Sequence, residues 1–272
     1  MPELPEVETT RAGLAPQLVG ARVAHVEVRE RRLRWPVPEG LGQYLVGARL
    51  EALDRRAKYL LFRFDRGTLI GHLGMSGSMR LVAPEAAWLV HDHLAVGFEG
   101  GRVLRLNDPR RFGSLHWTSR EAVAEHFLIA HLGPEPLGDA FDGAHLHGWA
   151  RGRRAPVKAF LMDARIVVGV GNIYANEALF RAGIHPRRAA GRIARPRYDA
   201  LAAAVRAVLA EALAMGGTTL RDFVGSDGRP GYFRQSLDVY GRGGEPCRRC
   251  AARLREIRLG QRTTVYCPAC QR

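Results

Sequence analysis

Lysine is nearly absent from this chain of 272 residues, and cysteine is absent from all but its last 26. Lys58 and Lys158 are the two lysines among 41 basic residues, which makes them candidates for positions that need a compact ammonium. A long cysteine-free body argues against a secreted disulfide scaffold and favours a reducing cytosol. No apolar run is long enough to span a bilayer, and no secretory signal is visible at the N-terminus.

Negative charge is also scarce in this sequence. The 27 acidic residues stand against 41 basic ones, so the formal net charge is +14. Such an imbalance predicts a polyanionic partner, with nucleic acid ahead of a membrane surface. The length and the hydrophobic fraction of 46% are typical of a globular protein with two domains.

The first half of the chain changes from a helical pattern to a strand pattern. Residues 5–18 predict a helix that bends near Pro16. Short alternating or apolar runs separated by turn residues fill residues 22–117, which predicts an antiparallel sandwich or barrel. Residues 121–132 look helical, and the Gly- and Pro-rich residues 133–138 form a plausible interdomain linker.

The second half of the chain is predominantly helical in pattern. Lys158 to Ile166 is predicted as one helix, and Asn172 is predicted to cap a second helix that extends through Phe180. Asp199 to Met215 carries apolar residues at helical spacing and predicts a third helix. Residues 225–231 are predicted to form a flexible loop.

The four cysteines form two short pairs near the C-terminus. Cys247-x2-Cys250 and Cys267-x2-Cys270 are separated by sixteen residues, a spacing typical of a zinc site. Four thiolates leave no open coordination position, so the metal would be structural. Disulfide pairing is the alternative. Arginines between the pairs suit phosphate contacts, although a zinc ribbon of this kind is also compatible with protein interaction.

The chain opens with Met1-Pro2-Glu3-Leu4-Pro5-Glu6. If Met1 is removed, Pro2 carries a free secondary amine whose pKa lies well below that of lysine. An amine beside the carboxylates of Glu3 and Glu6 is equipped for Schiff-base chemistry on a sugar carbon. Pro5 and Glu6 are also typical of a helix N-terminus, and both interpretations can hold together.

Six separated segments carry a resemblance to one known family. The chain resembles formamidopyrimidine-DNA glycosylase, also called 8-oxoguanine DNA glycosylase/AP lyase, and the motifs run in family order from residue 2 to residue 270. They are the segments 2–8 (PELPEVE), 72–78 (HLGMSGS), 108–113 (DPRRFG), 168–177 (VGVGNIYANE) and 228–233 (GRPGYF), with the four-cysteine finger.

The resemblance implies an α+β fold with damaged double-stranded DNA bound between domains. An antiparallel β-sandwich catalytic domain with an N-terminal helix would span residues 1–132, followed by the linker. A helical domain with a helix–two-turn–helix element would span 139–237, and a zinc finger with one structural Zn²⁺ would span 238–272. The family further implies a monomer in the bacterial cytosol, without membrane association.

The implied activity is removal of oxidised purines followed by strand cleavage. Pro2 would attack the sugar carbon C1′ of a flipped nucleotide, and Glu3 would protonate the sugar ring oxygen. Lys58 matches a catalytic lysine that donates a proton and contacts phosphate, and Glu6 matches a carboxylate that shapes the pocket. Successive β- and δ-elimination would leave a one-nucleotide gap.

The remaining family residues are implied to hold the DNA. Met75, Arg110 and Phe112 match the trio that fills the space left by the flipped nucleotide. Lys158 matches a lysine near the lesion pocket.

Phosphate contacts and a lid complete the implied interface. Asn172 and Arg262 match a clamp on the phosphates beside the lesion, and His72 is a plausible phosphate neighbour. Residues 221–232 match the lid over the flipped purine. Val90 stands where the family usually has a lysine, so DNA contacts from that segment are not expected.

Three other functions are compatible with parts of the sequence. An endonuclease VIII-type enzyme for oxidised pyrimidines shares the architecture, but Leu4 and the set of Met75, Arg110 and Phe112 favour the purine-specific type. A non-catalytic zinc-ribbon DNA-binding protein would not need the pair Pro2-Glu3. A tautomerase with an N-terminal proline would leave the charge and the cysteines unused.

Overall fold

The computed structural model describes residues 2–217 and 236–272, and the predicted lid at 221–232 lies outside them. The described residues fall into two units, one made of residues 2–130 with 215–217 and the other of 131–214 with 236–272. Among these residues, no helix has both the length and the apolar character that a bilayer crossing requires.

Two four-stranded antiparallel sheets dominate the first unit. In sequence order, the elements are α1 (Leu4–Leu18), β1 (Val23–Val28), α2 (Leu41–Leu45), β2 (Leu50–Arg56), β3 (Tyr59–Phe64), β4 (Gly67–His72), β5 (Ser78–Val82), β6 (Asp92–Phe98), β7 (Arg102–Asn107) and β8 (Ser114–Thr118). One sheet has the order β1-β6-β7-β5 and the other β2-β3-β4-β8. The predicted antiparallel fold is therefore confirmed.

Apolar residues from both sheets and from α1 form the core of this unit. Leu14 and Leu18 of α1 pack with Phe62 and Phe64 of β3 and with Leu106 of β7. The alternating apolar residues of the strands build this core, because side chains at every second position of a strand face the same side of the sheet. Helix α1 is held against β2, where the Arg55 guanidinium donates to Glu8 at 3.0 Å.

The second unit is helical and ends in a two-stranded hairpin. Its elements are α3 (Gly143–Ala150), α4 (Val157–Leu161), α5 (Asn172–Arg181), α6 (Arg195–Ala214), β9 (Arg255–Leu259) and β10 (Arg262–Tyr266). Helix α6 packs on α3 and α5, and α5 also contacts β10. A separate apolar cluster that includes Phe180, Val239, Leu254 and Val265 joins α5 to the hairpin region.

The helix predicted over residues 121–132 is wrong beyond a single 3₁₀ turn at Glu121–Val123. The following backbone forms turns, in which Ile129 N donates to His126 O three residues earlier at 2.7 Å. A segment of this length is marginal as an isolated helix, and local turns compete with it successfully.

The helix predicted from Lys158 to Ile166 is also shorter, because α4 ends at Leu161. Asp163 terminates it, since its carboxylate accepts from Arg165 N at 3.0 Å and from the Arg165 guanidinium at 3.0 Å. An aspartate that bonds the backbone two residues later forms a turn in competition with the helix.

Candidate functional site

Two buried acidic residues lie in the segment that begins with Pro2. Glu3 and Glu6 are each 1% exposed, and Pro2 is also buried. The Glu6 carboxylate accepts from Glu3 N at 2.8 Å and completes a capping box at the start of α1. The helix-start interpretation of this segment is therefore confirmed, while the amine chemistry of Pro2 stays a prediction.

Gly217, which is distant in sequence, lies close to the Glu6 carboxylate. Its backbone adopts φ +83°, and a Cβ atom there would lie 3.1 Å from Glu6 Oε1. A side chain at this position would press on the carboxylate, in a conformation that favours glycine. A substitution of Gly217 would therefore disturb the carboxylate that caps α1.

Lys58 occupies the tight turn between β2 and β3. Arg56 pairs with Tyr59, so Ala57 and Lys58 form a two-residue connection. Ala57 is buried and has φ 55°, a left-handed conformation that costs an alanine roughly 1 kcal/mol. Such local strain is typical of functional sites. The two-residue connection places Lys58 at the tip of the hairpin.

His72 lies next to this turn at the end of β4. It pairs with Tyr59 across the sheet, and the two rings are 4.9 Å apart. Burial, with the positive charges of Lys58 and Arg34, lowers the pKa of His72 to about 4. Gly74 N donates to His72 Nδ1 at 3.0 Å, so the neutral ring carries its proton on Nε2. That N–H is a suitable donor for a phosphate oxygen.

Met75, Arg110 and Phe112 are brought together on two adjacent loops. The loop after β4 carries Met75, and the loop before β8 carries the other two; His72 of β4 pairs with Ser114 of β8. Met75 is 38% and Phe112 43% exposed, and the Arg110 guanidinium lies 5.0 Å from the Phe112 ring centre. Exposed apolar side chains beside an exposed arginine suit insertion into a base stack.

Three predicted residues of the second unit meet at the β9–β10 hairpin. Asn172 is not the cap of α5, because Gly171 occupies that position and Asn172 is the first helical residue. Its Nδ2 instead donates to Thr263 O at 3.1 Å. Lys158 is 2% exposed, and its Nζ donates to Thr263 O at 3.1 Å and to Thr264 Oγ1 at 2.6 Å.

Arg262 begins β10 directly after the hairpin turn. Gly260 and Gln261 form that turn with φ 52° and 61°, the two positive values that a tight type I′ hairpin requires. The Arg262 side chain is exposed. Asn172 and Lys158 therefore hold the strand that presents Arg262, so the three residues form one polar group at the hairpin.

The four cysteines gather into one cluster. Their Sγ atoms all lie within 4.8 Å of one another, and those of Cys250 and Cys267 are 3.5 Å apart. All four are free, so the disulfide alternative is wrong. Arg249 N and Cys270 N each point at a sulfur 3.4 Å away, a bond that favours thiolates. Tetrahedral Zn–S bonds of about 2.3 Å fit this set, which leaves no site for substrate.

Sequence reasoning overlooked two residues that contribute to the site. Arg34 acts on the charge state of His72, and its own backbone N donates to Gly113 O at 3.1 Å. No pattern in its surroundings indicated this. Asp108 lies buried beneath the loops of Met75 and Phe112. It opens the 108–113 motif, and its position before two arginines was the available signal.

Family models match most of the chain. The model described as formamidopyrimidine-DNA glycosylase N-terminal domain matches residues 1–115, and the formamidopyrimidine-DNA glycosylase H2TH domain matches 132–224. A zinc finger found in FPG and IleRS matches residues 244–272.

Full-length relatives carry the same family name. The formamidopyrimidine-DNA glycosylases of Alkalilimnicola ehrlichii and Stutzerimonas stutzeri are each 61% identical, with all of both chains covered. A Lactococcus lactis FPG mutant in complex with DNA containing Fapy-dG is 34% identical, with a TM-score of 0.93 over all of both chains. The wild-type L. lactis protein in complex with DNA containing an oxidised pyrimidine is also 34% identical, with a TM-score of 0.92 over all of both chains. By this similarity along its whole length, the chain belongs to the formamidopyrimidine-DNA glycosylase family.

Proposed function

We propose that this protein removes oxidised purines, 8-oxoguanine and formamidopyrimidines, from duplex DNA and then cuts the strand as an AP lyase. It thereby begins base excision repair, acting as a monomer in the bacterial cytosol. Family membership supports the glycosylase activity. The observation that carries the chemistry is the pair of buried acidic residues, Glu3 and Glu6, in the segment that begins with Pro2.

The reaction starts at the Pro2 nitrogen once Met1 has been removed. The amine attacks C1′ of the flipped nucleotide, the bond from C1′ to the purine breaks, and the purine leaves with a proton. A secondary amine gives an iminium, which makes the C2′ proton acidic. Loss of that proton breaks the C3′–O bond, and a second elimination breaks the C5′–O bond. Water then releases the enzyme and leaves a one-nucleotide gap.

The acidic and basic residues around this nitrogen divide the proton transfers. Glu3 protonates the sugar ring oxygen, which opens the ring and allows the iminium to form. Glu6 fixes the start of α1 through Glu3 N and shapes the wall beside the nitrogen. Lys58 supplies a proton and a phosphate contact from the strained hairpin turn.

The DNA contacts follow the two groups of residues described above. Met75, Arg110 and Phe112 replace the flipped nucleotide in the stack, with Arg110 facing the unpaired partner base. His72, Asn172 and Arg262 contact backbone phosphates. Lys158 acts through the hairpin that carries Arg262, because its Nζ is occupied by Thr263 and Thr264.

Borohydride trapping tests the chemistry directly. The native chain should form a covalent adduct with 8-oxoguanine duplex and with a preformed abasic site. A residue inserted ahead of Pro2 turns its nitrogen into an amide, so both adducts should disappear while DNA binding persists. Cleavage of damaged duplex at the normal rate by this blocked protein would overturn the proposal.

Glu3→Gln is the matched variant for the acid. An abasic sugar already equilibrates with its open-chain aldehyde, so this variant should still trap on preformed abasic DNA. It should lose excision of 8-oxoguanine by about 10²-fold or more, the usual scale of general acid catalysis. Equal loss on both substrates would exclude the assigned role.

Oxidised pyrimidines form a second candidate substrate class. The L. lactis relative in complex with DNA containing an oxidised pyrimidine favours this possibility. Parallel single-turnover rates on purine and pyrimidine lesions in one duplex sequence decide it. Faster excision of the pyrimidine would assign the chain to the endonuclease VIII type of activity.

A further inference from the structure

One buried carboxyl group joins the two loops that carry the duplex-inserting trio. The side chain of Asp108 has no exposed surface, and it accepts two hydrogen bonds from different loops. Ser76 Oγ donates to Oδ1 at 3.0 Å, and Gly113 N donates to Oδ2 at 2.7 Å. Ser76 follows Met75 and Gly113 follows Phe112, so each bond is made next to an inserting residue.

The same two loops touch each other through bare backbone. Gly74 adopts φ +65°, and a Cβ atom there would lie 2.3 Å from the carbonyl carbon of Phe112. No side chain fits at this contact, so the backbone before Met75 rests directly on that of Phe112. A shift of either loop would therefore move the other.

Asp108 is itself fixed by its own main chain. Its N donates to His91 O at 3.0 Å, and its carbonyl oxygen accepts from Arg111 N at 3.1 Å. His93 Nε2 lies 2.8 Å from the same oxygen. The carboxyl group thus extends from a hydrogen-bonded backbone position just after the end of β7, while Met75, Arg110 and Phe112 are exposed.

We propose that Asp108 is a positioning residue that holds Met75 and the Arg110–Phe112 pair in register, so that the trio enters the duplex as one unit. Asp108 touches no DNA and acts through Ser76 and Gly113. The inference rests on the proposed function and deepens it, because it assigns recognition of the partner base to the link between loops as well as to Arg110.

Four variants separate this role from general stability. Asp108→Ala removes both hydrogen bonds, and Ser76→Ala removes one of them. Asp108→Asn is the matched control, because its amide oxygen can accept from Gly113 N while its amide nitrogen donates to the Ser76 hydroxyl. Asp139→Ala, at an exposed acid in the second unit, controls for the loss of one negative charge.

The decisive readout is the ratio of kcat/KM values for 8-oxoguanine opposite cytosine and opposite adenine. Asp108→Ala should lower kcat/KM opposite cytosine by about tenfold, as expected when buried hydrogen bonds are broken, and bring the ratio toward one. Ser76→Ala should lie between that variant and the native chain. Asp108→Asn and Asp139→Ala should keep the native ratio. The yield of borohydride-trapped adduct on single-stranded abasic DNA, which has no partner base, should equal that of the native chain in all four variants.

A native ratio in both Asp108→Ala and Ser76→Ala, even with lower thermal stability, would overturn the inference. So would equal loss of trapping on single-stranded DNA, because it would place the defect at the Pro2 end. If Asp108→Ala fails to fold, the comparison of Ser76→Ala with Asp108→Asn decides. Failure of the native chain to trap would instead reject the proposed function.

Discussion

The ammonium of Lys158 lies 2.6 Å from the hydroxyl oxygen of Thr264. Lys158 belongs to α4, and Thr264 lies two residues after Arg262 in β10. A buried ammonium is stable only when it is hydrogen-bonded, so this contact fixes the hairpin against the helical part of its unit. The direction of Arg262 therefore depends on a lysine that lies beneath the surface.

Removal of the Thr264 hydroxyl tests whether Lys158 works through the hairpin. Thr264→Val keeps the shape but leaves the ammonium with one fewer acceptor, which should cost about 1–3 kcal/mol of unfolding free energy. Lys158→Met should weaken duplex binding in the same direction as Thr264→Val, since both loosen the strand behind Arg262.

Denaturant unfolding and duplex affinity at fixed salt measure the two effects together. Lys158→Arg serves as the control for charge, since it keeps the positive charge but replaces the compact ammonium by a broader guanidinium. A defect in excision for Lys158→Met with full activity in Thr264→Val would instead indicate direct contact of Lys158 with the lesion.

Arg262 should contribute one phosphate contact. Arg262→Ala should weaken duplex binding and reduce the slope of log K against log salt by about 0.9, the share of one neutralised phosphate. Arg258 of β9 is the matched control. It pairs with Thr263, the residue after Arg262, so its side chain lies on the opposite face of the hairpin from that of Arg262. Arg258→Ala should retain more of the native slope. An unchanged slope in Arg262→Ala, measured by a titration from low to high salt, would contradict the contact.

The strands of the first unit were predictable because their pattern is local. Strand β3, Tyr59–Phe64, lies in the range 22–117 whose short apolar and alternating runs predicted strands. Lys158 to Ile166 was predicted as a helix, but the helix ends at Leu161. It ends early because Asp163 bonds to Arg165, and such competition between a side chain and the helix cannot be read from apolar spacing alone.

The sequence named candidate site residues one by one, but it did not predict the contacts between them. Motifs identified Met75 and Phe112, yet the carboxyl of Asp108 that joins their loops spans 32 residues to reach Ser76. Lys158 reaches Thr264 across 106 residues. Contacts at such separations in sequence depend on the folded chain, so the motifs named candidate residues but could not indicate which of them hydrogen-bond to one another.

Zinc should be required for the finger and dispensable for the fold of the first unit. Native protein should contain one zinc per chain by elemental analysis. Chelation should release the metal and lower duplex affinity by at least about tenfold, because the hairpin with Arg262 relies on the four thiolates to fold.

Cys267→Ser offers a milder test of the same site, since a hydroxyl is a poor zinc ligand. It should lose metal during dialysis while the spectroscopic signal of the β-sheets persists. Full affinity and activity in metal-free native protein would refute a structural role for the zinc.

His72 should remain neutral well below the pH at which a solvent-exposed histidine is protonated, and this should make the stability of the protein depend on pH. Folding lowers the pKa of His72 from 6.5 to about 4. Between pH 4 and pH 6.5 this histidine is therefore protonated in the unfolded chain and neutral in the folded chain. Stability from this group is therefore complete above pH 6.5 and is lost as the pH falls toward 4. Protonation of Nδ1 would also break the bond from Gly74 N, which holds the loop of Met75.

Histidine ring shifts followed by NMR during an acid titration measure the pKa directly. Lys58→Met should raise the pKa of His72, because one of the positive charges that depress it is gone. His72→Phe keeps a ring beside Tyr59 and should flatten the pH dependence of unfolding between 4 and 6.5 relative to the native chain. Burial also lowers the pKa values of three other histidines, His116, His126 and His185. Their contribution to the pH dependence of unfolding is the same in the variant and the native chain, so it cancels in the comparison. A His72 that titrates at or above 6.5 in the native protein would show that the ring is solvated, and the hydrogen bond from Gly74 could not then hold the Met75 loop.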